Sequence, residues 1–335
     1  MTSDDFGSAF DLLREQKRLL APAVRAAVLA ACADSPSLEY AVLALESADS
    51  SANSVFRMMA VPIHGALTGH VTPVLPICVL SRLWWAGAEL LDDVMDGEFD
   101  PQSVGLSAAS VTIASTACLT VLPEDVIARQ PLSDALKAAL QGELTEATIR
   151  SADGQLVDVA DVRLPVQWKQ VMAGYAGKTG AAYGRDAAMA AMLAGRTEQE
   201  IRGWRTFGRL FGVMRQAAND RAPRSYEEDT DLANGTPTLL MAYALEALPP
   251  GEAETLAEAH ARAGSGADAR SIVWERLRRP DVAQGYDQRV DGMRQRLSAL
   301  LGRLAEPSAH RDVLQWMVNV SADASRLTPR EGIAA

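Results

Sequence analysis

Apolar side chains return every three or four positions along nearly the whole of this chain, and two-residue alternation is hard to find. Phe10, Leu13, Leu19 and Leu20 set the pattern near the start. Met189, Met192 and Leu193 repeat it in the middle, and Val290, Met293, Leu297, Leu300 and Leu301 carry it towards the end. A helix turns about 100° per residue, so such spacing gathers apolar groups on one face, whereas a half-buried strand needs alternation. The pattern predicts an all-α fold of about a dozen helices. Polar or Pro/Gly-rich breaks are expected near Ala33–Ser37, Gly97–Gly105, Pro123–Ser133, Ser151–Pro165, Asn219–Thr238, Pro249–Glu252 and Arg279–Tyr286. No fixed-period repeat is present, which disfavours a solenoid.

With 335 residues, 48% of them hydrophobic, the chain has the material for a sizeable core. Small residues crowd the stretch AGYAGKTGAAYGRDAAMAAMLAG from Ala173 to Gly195, where close helix approach places it at the centre of a bundle. No composition shift marks a boundary, so one domain over 1–335 is expected, with loosely tied ends at about residues 1–5 and 326–335. The segment Val71 to Leu91 is apolar enough to raise a membrane span. Its Pro73, Pro76, Arg82 and Glu89 favour a buried core helix instead, and no transmembrane segment is expected.

A net charge of −11 argues against a nucleic-acid partner, since a phosphate backbone needs a basic surface. An anionic substrate then needs local positive charge, such as a bound metal. Cys32, Cys78 and Cys118 show no metal-binding or paired spacing and fit a reduced cytoplasm. The opening MTSDDFGSAFDLL is acidic where an export signal is basic and then apolar, so no such signal is expected.

The sharpest local feature is AGAELLDDVMDGEFD, in which an apolar helix runs into Asp92, Asp93 and Asp96. Asp92 and Asp96 lie four apart, on one face, and like charges at that spacing destabilise a helix. A helix C-terminus is also the wrong end of the macrodipole for carboxylates. A divalent cation removes that cost, and Mg²⁺ is suited by a few carboxylates completed by phosphate oxygens and water.

Together with three later motifs, these aspartates make the sequence resemble the trans-isoprenyl diphosphate synthase (polyprenyl synthetase) family, within the class I terpenoid synthases, over about residues 50–325. The anchors are LLDDVMDG at Leu90–Gly97, the Lys-Thr pair in AGKTGAA at Lys178–Thr179, FGVMRQAAND at Phe211–Asp220, and DLANGTPTLLMAYAL at Asp231–Leu245. The resemblance implies the isoprenoid synthase bundle around a deep central cavity, two or three Mg²⁺ ions and a homodimer. It also implies that Asp92, Asp93 and Asp96 hold Mg²⁺ against the diphosphate of an allylic substrate, which Lys178 contacts directly. Asp92, Asp93, Asp96 and Lys178 are then the catalytic set, with Thr179 and Gln216 beside the substrate.

Chain-elongating members of that family carry features missing here. No GKRxRP-like segment exists, only Arg57 in SVFRMMAVP, and no paired arginines follow Asp96. Both losses fall on the isopentenyl diphosphate site. His70 in GHVTP lies further from Asp92 than the family histidine it resembles. The second aspartate motif falls on Asn219, Asp220 and Pro223, and two family lysines appear as Thr230 and Thr236. Arg221 and Arg224 are candidates to restore positive charge towards a diphosphate. A second pattern, the Asn, Ser/Thr and Glu of terpene cyclases at intervals of four, meets Asn219 and Glu227 at its outer positions and Pro223 in the middle. Asn219, Asp220 and Glu227 are therefore the further metal candidates, and Pro223 is expected to end or bend the helix.

Gly87 and Ala88, five and four residues before Asp92, are expected on the cavity side and are small, as in members that accept longer chains. Trp84 would form a floor about 12 Å below Asp92, suited to a C15 to C20 chain. Its alternative is plain core packing. The first expectation is thus a Mg²⁺-dependent enzyme that ionises an allylic prenyl diphosphate in the manner of a terpene synthase, without a standard isopentenyl diphosphate site. The alternatives are a chain-elongating prenyltransferase and a weakly active or non-catalytic partner subunit.

Overall fold

The computed structural model describes residues 3–49, 54–95, 97, 99–158, 167–221 and 223–328. Among the described residues there are sixteen α-helices and no strand, so the fold is all-α. In chain order they are α1 (Ser3–Ala31), α2 (Pro36–Ala48), α3 (Ala60–Thr68), α4 (Leu75–Met95), α5 (Ala108–Leu119), α6 (Val121–Ala128), α7 (Asp134–Asp158) and α8 (Trp168–Lys178). There follow α9 (Gly180–Leu193), α10 (Glu198–Asn219), α11 (Thr230–Asn234), α12 (Leu239–Ala247), α13 (Pro250–Ala261), α14 (Ala267–Leu277), α15 (Pro280–Leu304) and α16 (Ala309–Ser325).

Several expected breaks are helix starts. Pro36, Pro250 and Pro280 each open a helix, and Pro123 lies in the first turn of α6. The first turn needs no backbone N–H bond, so proline is tolerated there and its fixed φ favours the helix. The expected break at Ser151–Pro165 begins later, because α7 continues to Asp158.

Contacts divide the chain into two compact units. The first comprises Met1–Thr148, Tyr183–Arg205 and Leu304–Leu314, and the second Ile149–Ala182, Thr206–Arg303 and Gln315–Ala335. In the first, α4 packs against α1, α2, α5 and α6. Every residue from Ile77 to Gly87 except Arg82 is buried, so its apolar circumference is explained by neighbours on all sides. The stretch Thr72–Met95 is long and apolar enough to cross a membrane but 67% buried, and Ala108–Ala128 passes the same test at 50% buried. Arg185 and Asp186 of α9 are also fully enclosed. Arg185 Nε donates to Asp186 Oδ1 at 2.9 Å and the Ser81 hydroxyl to Asp186 Oδ2 at 2.6 Å.

The crowded small residues have a direct cause in each unit. Ala181 to Ala191 is buried without interruption along α9. In the second unit a Cβ on Gly154 of α7 would stand 2.2 Å from the backbone nitrogen of Lys178, and one on Gly180 2.8 Å from the Arg209 carbonyl oxygen. Only glycine permits these approaches. The first residues of the expected loose end are tied down: Asp287 of α15 accepts from the backbone N–H of Leu327 at 2.8 Å and of Thr328 at 3.1 Å, and Arg326 pairs with Asp291.

Candidate active site

The first arm is the end of α4. Burial relaxes after Gly87, and Ala88, Asp92 and Asp93 are half-buried while Met95 is exposed. The core helix therefore delivers two carboxylates to a partly solvated end. Gly97, at φ 74°, then turns the chain through the left-handed region that favours glycine, and Phe99 N–H donates to the Asp93 carbonyl at 3.2 Å. Asp96 lies outside the described residues. Among the described residues no group of three His, Cys, Asp or Glu is placed to hold a metal. Asp92 and Asp93 still suit Mg²⁺, which needs only one or two carboxylates when a substrate supplies phosphate oxygens.

The cavity-side placement of Gly87 requires correction. A Cβ on Gly87 would meet Cys118 Cβ at 2.7 Å and the Ser115 carbonyl at 2.9 Å, so its size serves the packing of α4 on α5. The reason is angular: four residues return to about 40° from Asp92, but five lie about 140° away. Ala88 keeps the Asp92 side. Trp84 is buried, its indole N–H donates to Thr148 Oγ1 at 3.3 Å, its edge meets Trp85 with centroids 5.3 Å apart, and Arg185 lies 4.9 Å over its face.

Arg57, the sole arginine in the segment where an isopentenyl diphosphate contact would be sought, is buried. It pairs with Asp49 at 2.9 Å and with Glu89, and lies 4.8 Å over the Trp85 ring. Its charge is already matched by two carboxylates. His70 is exposed, and its carbonyl accepts from the His64 ring nitrogen Nδ1 at 2.6 Å.

The second arm lies in the second unit, where the Lys-Thr pair falls in the break between α8 and α9. Lys178 is the last residue of α8 and Thr179 its cap. The Thr179 hydroxyl donates to Gln216 Oε1 at 2.6 Å, and Gln216 Nε2 donates to Asp220 Oδ1 at 3.1 Å. The other Asp220 oxygen accepts from the Tyr175 hydroxyl, whose own oxygen accepts from Leu239 N–H at 3.3 Å. Burial and the neighbouring Asp220 hold the Tyr175 hydroxyl well above its ordinary pKa, so it remains a donor.

The cyclase-like triad is not assembled by a helix. α10 ends at Asn219, which is exposed, and Pro223 lies outside any helix beyond it, as the proline predicts. Intervals of four lose their one-face meaning there. Glu227 is exposed, and hydrogen bonds from Ser225 and Tyr226 hold its carboxyl below the usual value, with Arg270 nearby. Arg224 is exposed and its backbone N–H donates to Glu228 at 3.1 Å. Arg221 is half-buried, its Nε is enclosed without a hydrogen-bond partner, and burial lowers its pKa despite Tyr286, Asp220 and Asp229. Arg278, stacked on Trp274, is drawn down to about 9 by burial and by the Arg221 charge, partly offset by Asp229.

Tyr175, Asp229 and Arg278 were not flagged from the sequence. Tyr175 lies three residues before Lys178 and so on its side of α8, which is a usable signal. Nothing in the local pattern around Asp229 or Arg278 marks them.

A sequence profile described as polyprenyl synthetase matches residues 101–274, which takes in Lys178, Gln216 and Asp220 and begins after the aspartates of α4. The chain belongs to the polyprenyl synthetase family. Solved structures carry the likeness across more of this family member. A geranylgeranyl pyrophosphate synthetase from Pyrococcus horikoshii is 17% identical with a TM-score of 0.79, covering 95% of this chain and 99% of its own. A polyprenyl synthetase from Streptomyces coelicolor is 19% identical with a TM-score of 0.78, covering 93% and 99%. A geranylgeranyl pyrophosphate synthase from Corynebacterium glutamicum, in complex with isoprenyl diphosphate and magnesium, is 18% identical with a TM-score of 0.70, covering 97% and 100%. No match was found among curated protein sequences. The polyprenyl synthetase family comprises prenyltransferases acting on prenyl diphosphates, and this chain is an enzyme of that kind.

Proposed function

We propose that this polyprenyl synthetase family member is a Mg²⁺-dependent chain-elongating trans-prenyltransferase, joining isopentenyl diphosphate to an allylic diphosphate of C15 to C20. This reverses the order expected from the sequence, where a terpene-synthase-like reaction came first. The observation that carries it is the family match over the second arm, in which the Lys178–Thr179 break is hydrogen-bonded to Gln216. Asp92 and Asp93 would hold Mg²⁺, with Asp96 as the third candidate. Bound Mg²⁺ supplies Lewis-acid stabilisation of the leaving diphosphate. Lys178 would contribute a point charge to the diphosphate and Arg221 a planar set of donors.

A catalytic role for one domain spanning the chain, a cytoplasmic location and a homodimer complete the proposal. Ile113 of α5 and Val121 of α6 are 68% and 57% exposed, an apolar surface suited to a second copy. A second reading, ionisation without isopentenyl diphosphate, is favoured by one observation: Arg57 is committed to Asp49 and Glu89.

The test is incubation with Mg²⁺ and geranyl, farnesyl or geranylgeranyl diphosphate, each with and without isopentenyl diphosphate. Longer diphosphates that require isopentenyl diphosphate are expected. Hydrocarbons or alcohols formed equally without it would overturn elongation in favour of the second reading, and binding without turnover would favour a partner subunit.

A further inference from the structure

The hydrogen bonds of the second arm have a common direction. Leu239 N–H donates to Tyr175, Tyr175 donates to Asp220, Thr179 donates to Gln216, and Gln216 donates to Asp220. Two separate lines of donors thus converge on one carboxylate, each filling a different oxygen. A carboxylate accepts on both oxygens, whereas an asparagine offers one acceptor and presents N–H groups on the other side. Tyr175 and Thr179 are both buried, so these bonds face little competition from water.

The arrangement also spans the two helices of the arm. Tyr175 and Thr179 occupy the last turn and cap of α8, on either side of Lys178, while Gln216 and Asp220 lie one turn apart at the end of α10. Asp220 is the only position of the second aspartate motif that keeps an aspartate. Gln216 and Tyr175 thus each donate to a different oxygen of the one carboxylate that the motif retains.

We propose that Tyr175 is a positioning residue: anchored by Leu239, it holds the Asp220 carboxylate in one orientation, and through Gln216 and Thr179 that carboxylate sets the end of α8 bearing Lys178. The role rests on the readings above that Lys178 contacts the diphosphate and that Asp220 is a further metal candidate. Tyr175 itself touches no reacting atom. Its contribution is preorganisation, which matters because a group that must be reoriented on binding loses affinity.

The experiment is a double-mutant cycle on the full-length protein with Tyr175→Phe and Asp220→Asn. It is read by calorimetric titration of inorganic pyrophosphate in excess Mg²⁺ and by kcat/KM for the allylic diphosphate. Tyr175→Phe is expected to weaken pyrophosphate binding about tenfold in the wild-type background, the scale of one hydrogen bond to a charged group, and to add nothing in the Asp220→Asn background. Equal losses in both backgrounds would assign Tyr175 a general packing role, and no loss in either would remove it; both outcomes overturn the proposal.

Thr179→Val provides a second entry to the same cycle should Tyr175→Phe fold poorly, with the same non-additivity expected and with Thr179→Ser restoring binding. Absence of pyrophosphate binding by the wild-type protein also overturns it. If the cycle is non-additive while no diphosphate is elongated, the positioning role stands and the reaction assignment falls. If elongation is found and the cycle is additive, the reverse holds.

Discussion

In the first unit Arg57 Nη1 donates a 2.9 Å hydrogen bond to Asp49 Oδ2, and the Asp49 side chain has no exposed surface. Glu89 is the second partner of the same guanidinium. Removing the arginine takes the countercharge from a buried carboxylate, which is far costlier than losing a surface pair. Arg57→Met is expected to lower unfolding stability by about 3–5 kcal/mol, measured by urea denaturation. A loss within about 0.5 kcal/mol, typical of a surface substitution, would show that the pair is not structural.

Asp92→Ala and Asp93→Ala should each reduce Mg²⁺-dependent turnover by about two orders of magnitude or more, on the scale of lost electrostatic stabilisation. Stability should change little, since both side chains are half-buried at a helix end. Steady-state rates across a Mg²⁺ titration test this, and an unchanged rate would remove the first arm from the site.

Gly87→Ala and Ala88→Phe should behave differently despite adjacency. The former drives a methyl group towards Cys118 and the Ser115 backbone, so a loss of about 1–3 kcal/mol is expected from overpacking. The latter lies on the Asp92 side of α4 and should shorten the prenyl product. Thermal melts and product chain-length analysis separate the two, and shortened products from Gly87→Ala with normal stability would contradict the packing assignment.

Gly154→Ala should impair the second arm from a distance of one helix. Its Cβ would stand 2.2 Å from Lys178 N, so α7 and α8 must part or unfold locally. A loss of at least about 1–3 kcal/mol is expected, together with weakened pyrophosphate binding. A variant with wild-type melting temperature and wild-type affinity would refute the close approach.

His260 is buried, and desolvation holds its pKa below the ordinary histidine value despite a hydrogen bond with the Thr236 backbone and the nearby Asp229. Between the lowered folded value and the unfolded value of about 6.5, the unfolded chain binds more protons. Stability contributed by neutral His260 is therefore lost as pH falls through that window. The melting temperature should drop between pH 7 and pH 5.5, and the drop should be smaller in His260→Gln. Asp186, whose pKa is raised by burial, acts in the opposite sense, so the difference between the two proteins is the informative quantity.

Local periodicity was sufficient to read the helical class, the end of α4 as a place for carboxylates, and the end of α10 before Pro223, because each depends on contacts three or four residues apart. Prolines misled where they open helices, since their missing N–H is harmless in a first turn. The triad spacing of Asn219 and Glu227 misled because a periodic argument holds only while the helix continues. Gly87 was misplaced by one residue's rotation about the helix axis.

The sequence by itself determined the all-α fold, the family and the two acidic positions of α4 that the structure places at a half-buried helix end. Tertiary structure alone decided that Arg57 is neutralised, that Gly154 lies against Lys178, and that Tyr175 reaches Asp220 from 45 residues away. Such pairings depend on which helix faces meet when the bundle packs, and no local spacing encodes that choice.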